Sequence, residues 1–568
     1  MSLKTKVNQL FIEKSTYLYP EQAVDIAESL NSLSNDLYTD SVRFVYELLQ
    51  NADDASSNDL NNPTKVIIAL IDGYLIVAHN GIPFNAKNLT AICSINRGTK
   101  RSETHKTGYK GIGFKAVFGK SDYVLIYSNG EYFRFDSSYH FLWDKDKWKI
   151  DQDTWIKDNE RSFIYPWQII PIWTEIDDVP LNIQNFIKKQ QHSCRVATIM
   201  RLKNILETEQ GIIQLQHQTH MLLFLRNIIE IQFCLHNSSH HTLTIEKNLN
   251  NFTRKLFVNG QIQSKWIIKQ LEINIPNNVY QDLKNDLKIP EKLKSSQIAE
   301  IFFAAKFNEN NIIKLNRFEN VLYSYIPTKI SQYKFSLLVN ANFLTNTSRE
   351  QLHIDSVWNQ WLFEQIPIEI FKWIGELEKS VWCHQAYILI PTKLELTNDL
   401  LAKKYNESCN KGIREIKFIL NNRQDSDLLK MNEAIIDLTA LSQQTFVGHD
   451  AIRTFILENS PKTSSLALHP FVQPSSELRT MGIKTFDWND CIKLFQSSNF
   501  SHTMSIENNQ KLIVYLYNRS ISETETTIKE LIQRIPFIMD QKKRLKIPKN
   551  INFPLFYDEN WSCTKCQE

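Results

Sequence analysis

The chain has 568 residues, 42% of them apolar, and its 65 basic and 62 acidic side chains leave a net charge of +3. That is enough chain for about three or four domains with cores of their own. The charge is too balanced for a general nucleic-acid binder, which carries a clear basic excess. No apolar run approaches the ~18 residues of a membrane-spanning helix, and Met1–Ser15 has lysines without the continuous apolar stretch of a secretory signal. Eight mostly isolated cysteines read as reduced thiols in a cytoplasmic protein. Cys563 and Cys566 form a CxxC, which is half of a zinc site.

Residues 21–35 read as a helix, and 41–55 more strongly so. In the second, Val42, Val45, Tyr46, Leu48, Leu49 and Ala52 recur at helical spacing, with Thr39, Asp40 and Ser41 as N-cap candidates. Lys65–Leu70 and Tyr74–Ala78 read as strands, joined as a hairpin through Ile71-Asp72-Gly73. The polar, basic stretch from Arg97 to Tyr109 reads as a loop. Strands are expected at Tyr123–Tyr127, Tyr132–Phe135 and Arg195–Leu202, with the Trp- and Asp-rich residues 137–190 as an irregular insertion. Beyond them the pattern predicts a helix near 216–228, strands near 229–235, 242–246, 300–306 and 334–340, and a helix over 356–380.

Three stretches carry chemistry. In Glu47-Leu48-Leu49-Gln50-Asn51-Ala52-Asp53-Asp54-Ala55 a helix puts Glu47, Asn51 and Asp54 on one face. A carboxylate there can orient and deprotonate a water, and an amide oxygen one turn on can ligate magnesium, which takes few protein ligands alongside waters and phosphates. The plainer alternative is a solvated helix face. His79-Asn80-Gly81-Ile82-Pro83-Phe84 follows a strand, and its Asn-Gly turn either brings backbone close to a flat base or is simply a turn. In Thr107-Gly108-Tyr109-Lys110-Gly111-Ile112-Gly113-Phe114, three of the chain's 14 glycines fall within six residues and precede an apolar, helix-like run. Such glycines let backbone N–H groups converge on phosphate oxygens at a helix start. Arg97, Lys100, Arg101, Lys106, Lys110, Lys115 and Lys120 make the surroundings basic. The pattern is neither a P-loop nor a Rossmann fingerprint.

Taken in order, these motifs resemble the superfamily of gyrase, heat-shock-chaperone, histidine-kinase and MutL ATPases (the Bergerat, or GHKL, fold). His-Asn-Gly-x-Pro-Phe, Arg-Gly-Thr-Lys, and Gly-x-Gly-Phe-Lys-x-Val-Phe narrow the resemblance to the sacsin and No-Vein branch. The resemblance implies ATP and Mg2+ as cofactors, Glu47 as general base and Asn51 as the metal ligand. It implies Asp54, Ala55, Gly81, Lys100, Gly108, Lys110, Gly111, Gly113 and Phe114 as nucleotide-binding residues. Val196-Ala197-Thr198-Ile199-Met200-Arg201-Leu202 resembles a later strand whose threonine, here Thr198, holds adenine through water. This chain departs where the superfamily reads the adenine amino group with an aspartate: His79 stands there, and either its imidazole or the Asn80 amide could accept the adenine N–H. Pro83 replaces a further glycine.

Asn346-Thr347-Ser348-Arg349-Glu350 resembles the middle-domain loop of ninety-kilodalton heat-shock chaperones that sends an arginine to the γ-phosphate, so Arg349 is the second catalytic candidate. The competing reading is an Arg349–Glu350 surface pair at a helix start. The expected architecture is α/β. A two-layer α/β sandwich with a mixed, mostly antiparallel sheet spans about 1–205, with helices on one face. A smaller α/β domain presenting Arg349 covers 206–375, and a mixed α/β region covers 376–568. The expected function is slow ATP hydrolysis coupled to domain closure, chaperone-like or regulatory. The alternative is a non-hydrolysing nucleotide-sensing scaffold. A protein client and a homodimer are the partners the resemblance admits; a membrane and nucleic acid are not expected.

Overall fold

The computed structural model describes the chain except residues 1, 37–42, 57–62, 95–112, 236–239, 287–288, 310, 317–318, 347–348, 421–426, 448–450, 453, 456–474, 498–499, 501–503, 523, 541 and 549–568. The chain divides into two compact units, Met1–Glu309 with Ile313–Phe363 and Leu396–Ala402, and Asn310–Ile312 with Glu364–Glu395 and Lys403–Glu568. Both are α/β, and no helix of the described residues is long and apolar enough to cross a membrane.

The first unit opens with helices α1 (Leu3–Ser15), α2 (Pro20–Asp36) and α3 (Arg43–Asp54). The hairpin expected next is present: β1 (Thr64–Ile71) and β2 (Tyr74–His79) pair from Ile71↔Tyr74 to Val66↔His79. Asp72 and Gly73 take φ of 46° and 81°, the left-handed pair that a two-residue hairpin turn requires. Helix α4 (Ala86–Ile92) follows, then β3 (Ser121–Ser128), β4 (Glu131–Asp136), β5 (Ile172–Thr174) and β6 (Val196–Leu202). The chain continues through β7 (Ile228–Cys234), β8 (His241–Asn248), β9 (Thr253–Val258), β10 (Gln261–Asn274) and β11 (Ile298–Asn308).

All of these strands lie in one sheet, in the order β5-β4-β3-β6-β2-β1-β7-β8-β9-β10-β11, extended by Leu338–Ala341, Leu322–Ser324 and Ile326–Pro327. The sheet is mixed and mostly antiparallel. β1 and β7 pair in parallel, from Thr64↔Ile228 to Ala69↔Cys234, so the expected boundary near residue 205 has paired strands on both sides of it. The main core lies between one face of the sheet and the N-terminal helices. It joins Val7 and Leu10 of α1 and Val45, Leu48, Leu49 and Ala52 of α3 to Val66, Ile68, Val77, Val124, Ile126 and Met200 of the sheet.

The structure departs from the sequence reading in four places. Residues 137–190 are not irregular: helices Gln152–Asn159 and Leu181–Lys189 form there, and Trp143 packs edge to face with Trp148 and Phe163, as Trp155 does with Phe163. Leu181–Lys189 also covers the other face of the sheet, placing Ile183, Phe186 and Ile187 against Ile67, Ala69, Ile76 and Ile199. The helix expected near 216–228 lies earlier, at Ile205–Gln216, where Gly211 weakens its signal. The apolar run that suggested it forms the 3-10 turn Thr219–Leu223. Finally, β9 and the 14-residue β10 were not foreseen; they meet at Asn259-Gly260, both left-handed. The second unit packs Leu441, Phe446, Trp488, Leu494, Leu512 and Ile532 into a core of its own, built around Trp488–Gln496, Ile506–Ser522 and Thr526–Gln533.

Candidate functional site

Helix α3 is buried at Phe44, Val45, Tyr46, Leu48, Leu49, Gln50, Ala52 and Asp53. Its partly open positions are Arg43, Glu47, Asn51 and Asp54, spaced by four, four and three residues along one strip. The three functional candidates therefore share the one face that the core does not claim, as helical spacing requires.

Glu47 does not face solvent alone. Arg349 Nη2 donates to Glu47 Oε1 at 3.1 Å, across 302 residues of sequence, and the two side chains are only 19% and 17% exposed. Nη1 of the same guanidinium donates to the Ser324 carbonyl at 3.1 Å. Arg349 sits in the left-handed region, at φ 54°. That conformation costs an L-residue about 1–2 kcal/mol and is held by neighbours. Arg349 N–H donates to Asn346 O at 3.1 Å, and the Asn346 side chain accepts from Glu350 N–H at 3.0 Å. Asn359, fully buried on the helix Val357–Glu378, clamps the base of the loop by accepting from Leu344 N–H at 2.9 Å and donating to Leu344 O at 2.7 Å. The surface-pair alternative fails: Glu350 pairs with Lys329 at 2.9 Å, and Arg349 is not at a helix start.

The turn after β2 packs against the end of α3. Ile82 N–H donates to the Ala55 carbonyl at 2.7 Å, and a Cβ on Gly81 would meet that oxygen at 2.7 Å and His79 Nδ1 at 2.8 Å. Residue 81 is thus glycine because nothing larger fits beneath Ala55. Gly81 N–H donates to His79 Nδ1 at 3.1 Å, and burial pushes the His79 imidazole down to about 4, so it is neutral. Asn80 is committed elsewhere: Oδ1 accepts from Lys65 N–H at 2.9 Å and Nδ2 donates to Pro63 O at 3.0 Å, locking the start of β1 to the end of β2.

Thr198 lies on the same sheet face as His79. The rungs read Val66, His79, Val196, Ser128, and then Ile68, Val77, Thr198, Ile126, so the two polar residues are diagonal neighbours on the side that α3 covers. Of the glycine segment, Gly113 opens the 3-10 turn Gly113–Ala116, which packs on α3. Phe114 points into an aromatic cluster with Phe118 and Phe135, at 5.7 and 6.4 Å. Lys100, Gly108, Lys110 and Gly111 lie outside the described residues, as do Cys563 and Cys566. Lys115 is fully buried, its ammonium donating to Ile92 O at 2.6 Å and Gln168 O at 3.0 Å, and burial pushes its pKa down to about 8.

Two residues had no assigned role in the sequence. Asp53, only 2% exposed, accepts from the N–H groups of Arg226, Asn227 and Ile228 at 2.9, 2.8 and 2.9 Å, so α3 is tied to the segment that leads into β7 and to the strand's first residue. Burial pushes its carboxyl pKa up while the three donors pull it down. The available signal was a carboxylate on the apolar side of an amphipathic helix. Asn359 gave a similar one, an amide between Trp358 and Trp361.

Residues 25–248 match the family model of the Sacsin domain. The chain is 24% identical over 359 residues to Protein NO VEIN of Arabidopsis thaliana, a match that takes in 61% of this chain and 12% of that protein. It is 30% identical over 112 residues to Sacsin of Homo sapiens, covering 18% of this chain and 2% of that one. These matches support the sacsin and No-Vein branch, and the chain spans a small part of the length of either relative.

Proposed function

We propose that the first unit is a Bergerat-type (GHKL) nucleotide-binding domain that holds a nucleoside triphosphate with Mg2+, ATP being the one the resemblance implies, and hydrolyses it slowly. The observation that carries this reading is the meeting of Glu47 and Arg349. A candidate base and a candidate phosphate-stabilising cation come from segments 302 residues apart and converge beside Asn51 and Asp54. One amide and neighbouring carboxylates suit Mg2+, which completes its shell with phosphate and water. When bound, the ion would neutralise phosphate charge; Asn51 would hold it, Glu47 would orient and deprotonate water, and Arg349 would stabilise charge on the terminal phosphate. Coupling to a protein client, chaperone-like or regulatory and in the cytoplasm, extends the same proposal.

A second reading, a nucleotide sensor without turnover, is favoured by the same ion pair, because Glu47 Oε1 is engaged by the Arg349 guanidinium rather than turned to a water. Calorimetric titration with nucleotide and Mg2+, beside Asn51→Ala, tests the first reading, and phosphate release from wild type and Glu47→Gln separates the two. Binding that Asn51→Ala abolishes, with release that Glu47→Gln abolishes, establishes the ATPase. Binding without release leaves the sensor. No binding of any purine nucleoside triphosphate at millimolar concentration rejects both.

A further inference from the structure

His79 and Thr198 are 8% and 6% exposed, on a sheet face otherwise made of Val66, Ile68, Val77, Ile126, Val196 and Ser128, whose hydroxyl already accepts from Phe84 N–H at 3.0 Å. Groups so deeply buried are normally hydrogen-bonded. Among the described residues, however, His79 Nε2 and the Thr198 hydroxyl have no partner, and neither is among the sealed, partnerless polar atoms. Two diagonally placed polar groups that lack protein partners but keep access form a polar notch in that face, able to meet a ligand.

The polarity of the notch is set from behind. A neutral imidazole has one N–H and one bare nitrogen. The Gly81 N–H is a donor, so the Nδ1 it points at, 3.1 Å away, is the bare nitrogen, and the proton lies on Nε2. The exchange cannot easily be undone. Gly81 is wedged under the Ala55 carbonyl, with Ile82 N–H bound to that same oxygen at 2.7 Å, so the turn that presents the donor is fixed. His79 therefore offers a donor to whatever enters, and the Thr198 hydroxyl can turn to serve as either donor or acceptor.

We propose that this notch reads a nucleobase through a donated hydrogen bond and prefers a 6-oxopurine nucleotide, guanine or hypoxanthine, to an adenine nucleotide. The proposal rests on the nucleotide-binding reading above and specifies its base. The 6-oxo group accepts from Nε2–H. The adenine 6-amino group would bring two donors face to face and leave both unsatisfied, a loss of about 1–3 kcal/mol. The expectation that the imidazole or the Asn80 amide accepts the adenine amino group is thereby replaced, since the bare imidazole nitrogen and the Asn80 amide are both bound to backbone.

The test is calorimetric titration of the full chain with the Mg2+ complexes of inosine, guanosine and adenosine triphosphates. The inosine and adenosine compounds differ at position 6 and in the protonation of N1, so their comparison isolates this edge without any variant. The inosine and guanosine nucleotides are expected to bind about 5- to 150-fold more tightly than ATP. His79→Asp, which puts an acceptor at the same place, is expected to reverse the order. If ATP binds as tightly as the inosine nucleotide or more tightly, the base assignment falls and the nucleotide-binding reading stands. If none of the three binds, both fall. Should His79→Asp fail to fold, the wild-type series decides alone.

Discussion

Breaking the Glu47–Arg349 pair should loosen the loop that carries the arginine. At 3.1 Å, with both side chains less than one-fifth exposed, an effective dielectric of about 20 gives roughly 5 kcal/mol of gross attraction. Desolvation and side-chain ordering return most of this, leaving a coupling of about 1–2 kcal/mol, between the values typical of exposed and buried pairs. The pair also helps to hold Arg349 in its left-handed backbone conformation at φ 54°. Glu47→Gln and Arg349→Met are therefore each expected to speed amide hydrogen exchange around 344–352 by about 5- to 30-fold, while exchange in the second unit's core does not change. The double variant should exchange no faster than the faster single variant, because each substitution alone already removes the shared interaction. Independent, multiplying effects, or no effect from Glu47→Gln, would show that the two charges do not pair in solution. The candidate active site would then lose the contact that assembles it.

Two further outcomes follow from buried carboxyls. Asp53→Asn replaces one of the acceptors of three backbone N–H groups with a donor, so urea unfolding of the first unit should lose about 2–4 kcal/mol; a loss below about 0.5 kcal/mol would mean that Asp53 does not tie α3 to β7. Glu378 of the second unit is 2% exposed, and burial pushes its pKa from 4.5 up to about 8. The folded state then holds a proton that the unfolded state releases, so this contribution is complete below about pH 4.5 and is lost as pH rises to about 8. Exchange in the second unit should accelerate from pH 6 to pH 8.5 beyond its intrinsic chemistry, and Glu378→Gln should remove that excess; an identical pH profile in the variant would count against a protonated Glu378.

Local patterning alone determined a good deal of this molecule. The strip Glu47, Asn51, Asp54 was legible because helical spacing is a property of the segment itself, and the Asp72-Gly73 hairpin because left-handed turns select their residues. Trp358 and Trp361 are 1% and 4% exposed, the burial that large aromatic side chains favour wherever they stand. Other features needed the tertiary structure. Helix Leu181–Lys189 and strands β9 and β10 gain their stability by packing on a sheet assembled from distant segments, which no short window contains. Asp53 carries the same carboxylate as Asp54, but only the approach of β7 makes it a cap. The partnering of Arg349 with Glu47, the commitment of Asn80 to β1 and the proton on His79 Nε2 are likewise decided by what lies across space. Sequence periodicity states which way a side chain points along its own element, and hydrogen bonds and ion pairs depend on which other element is there to meet it.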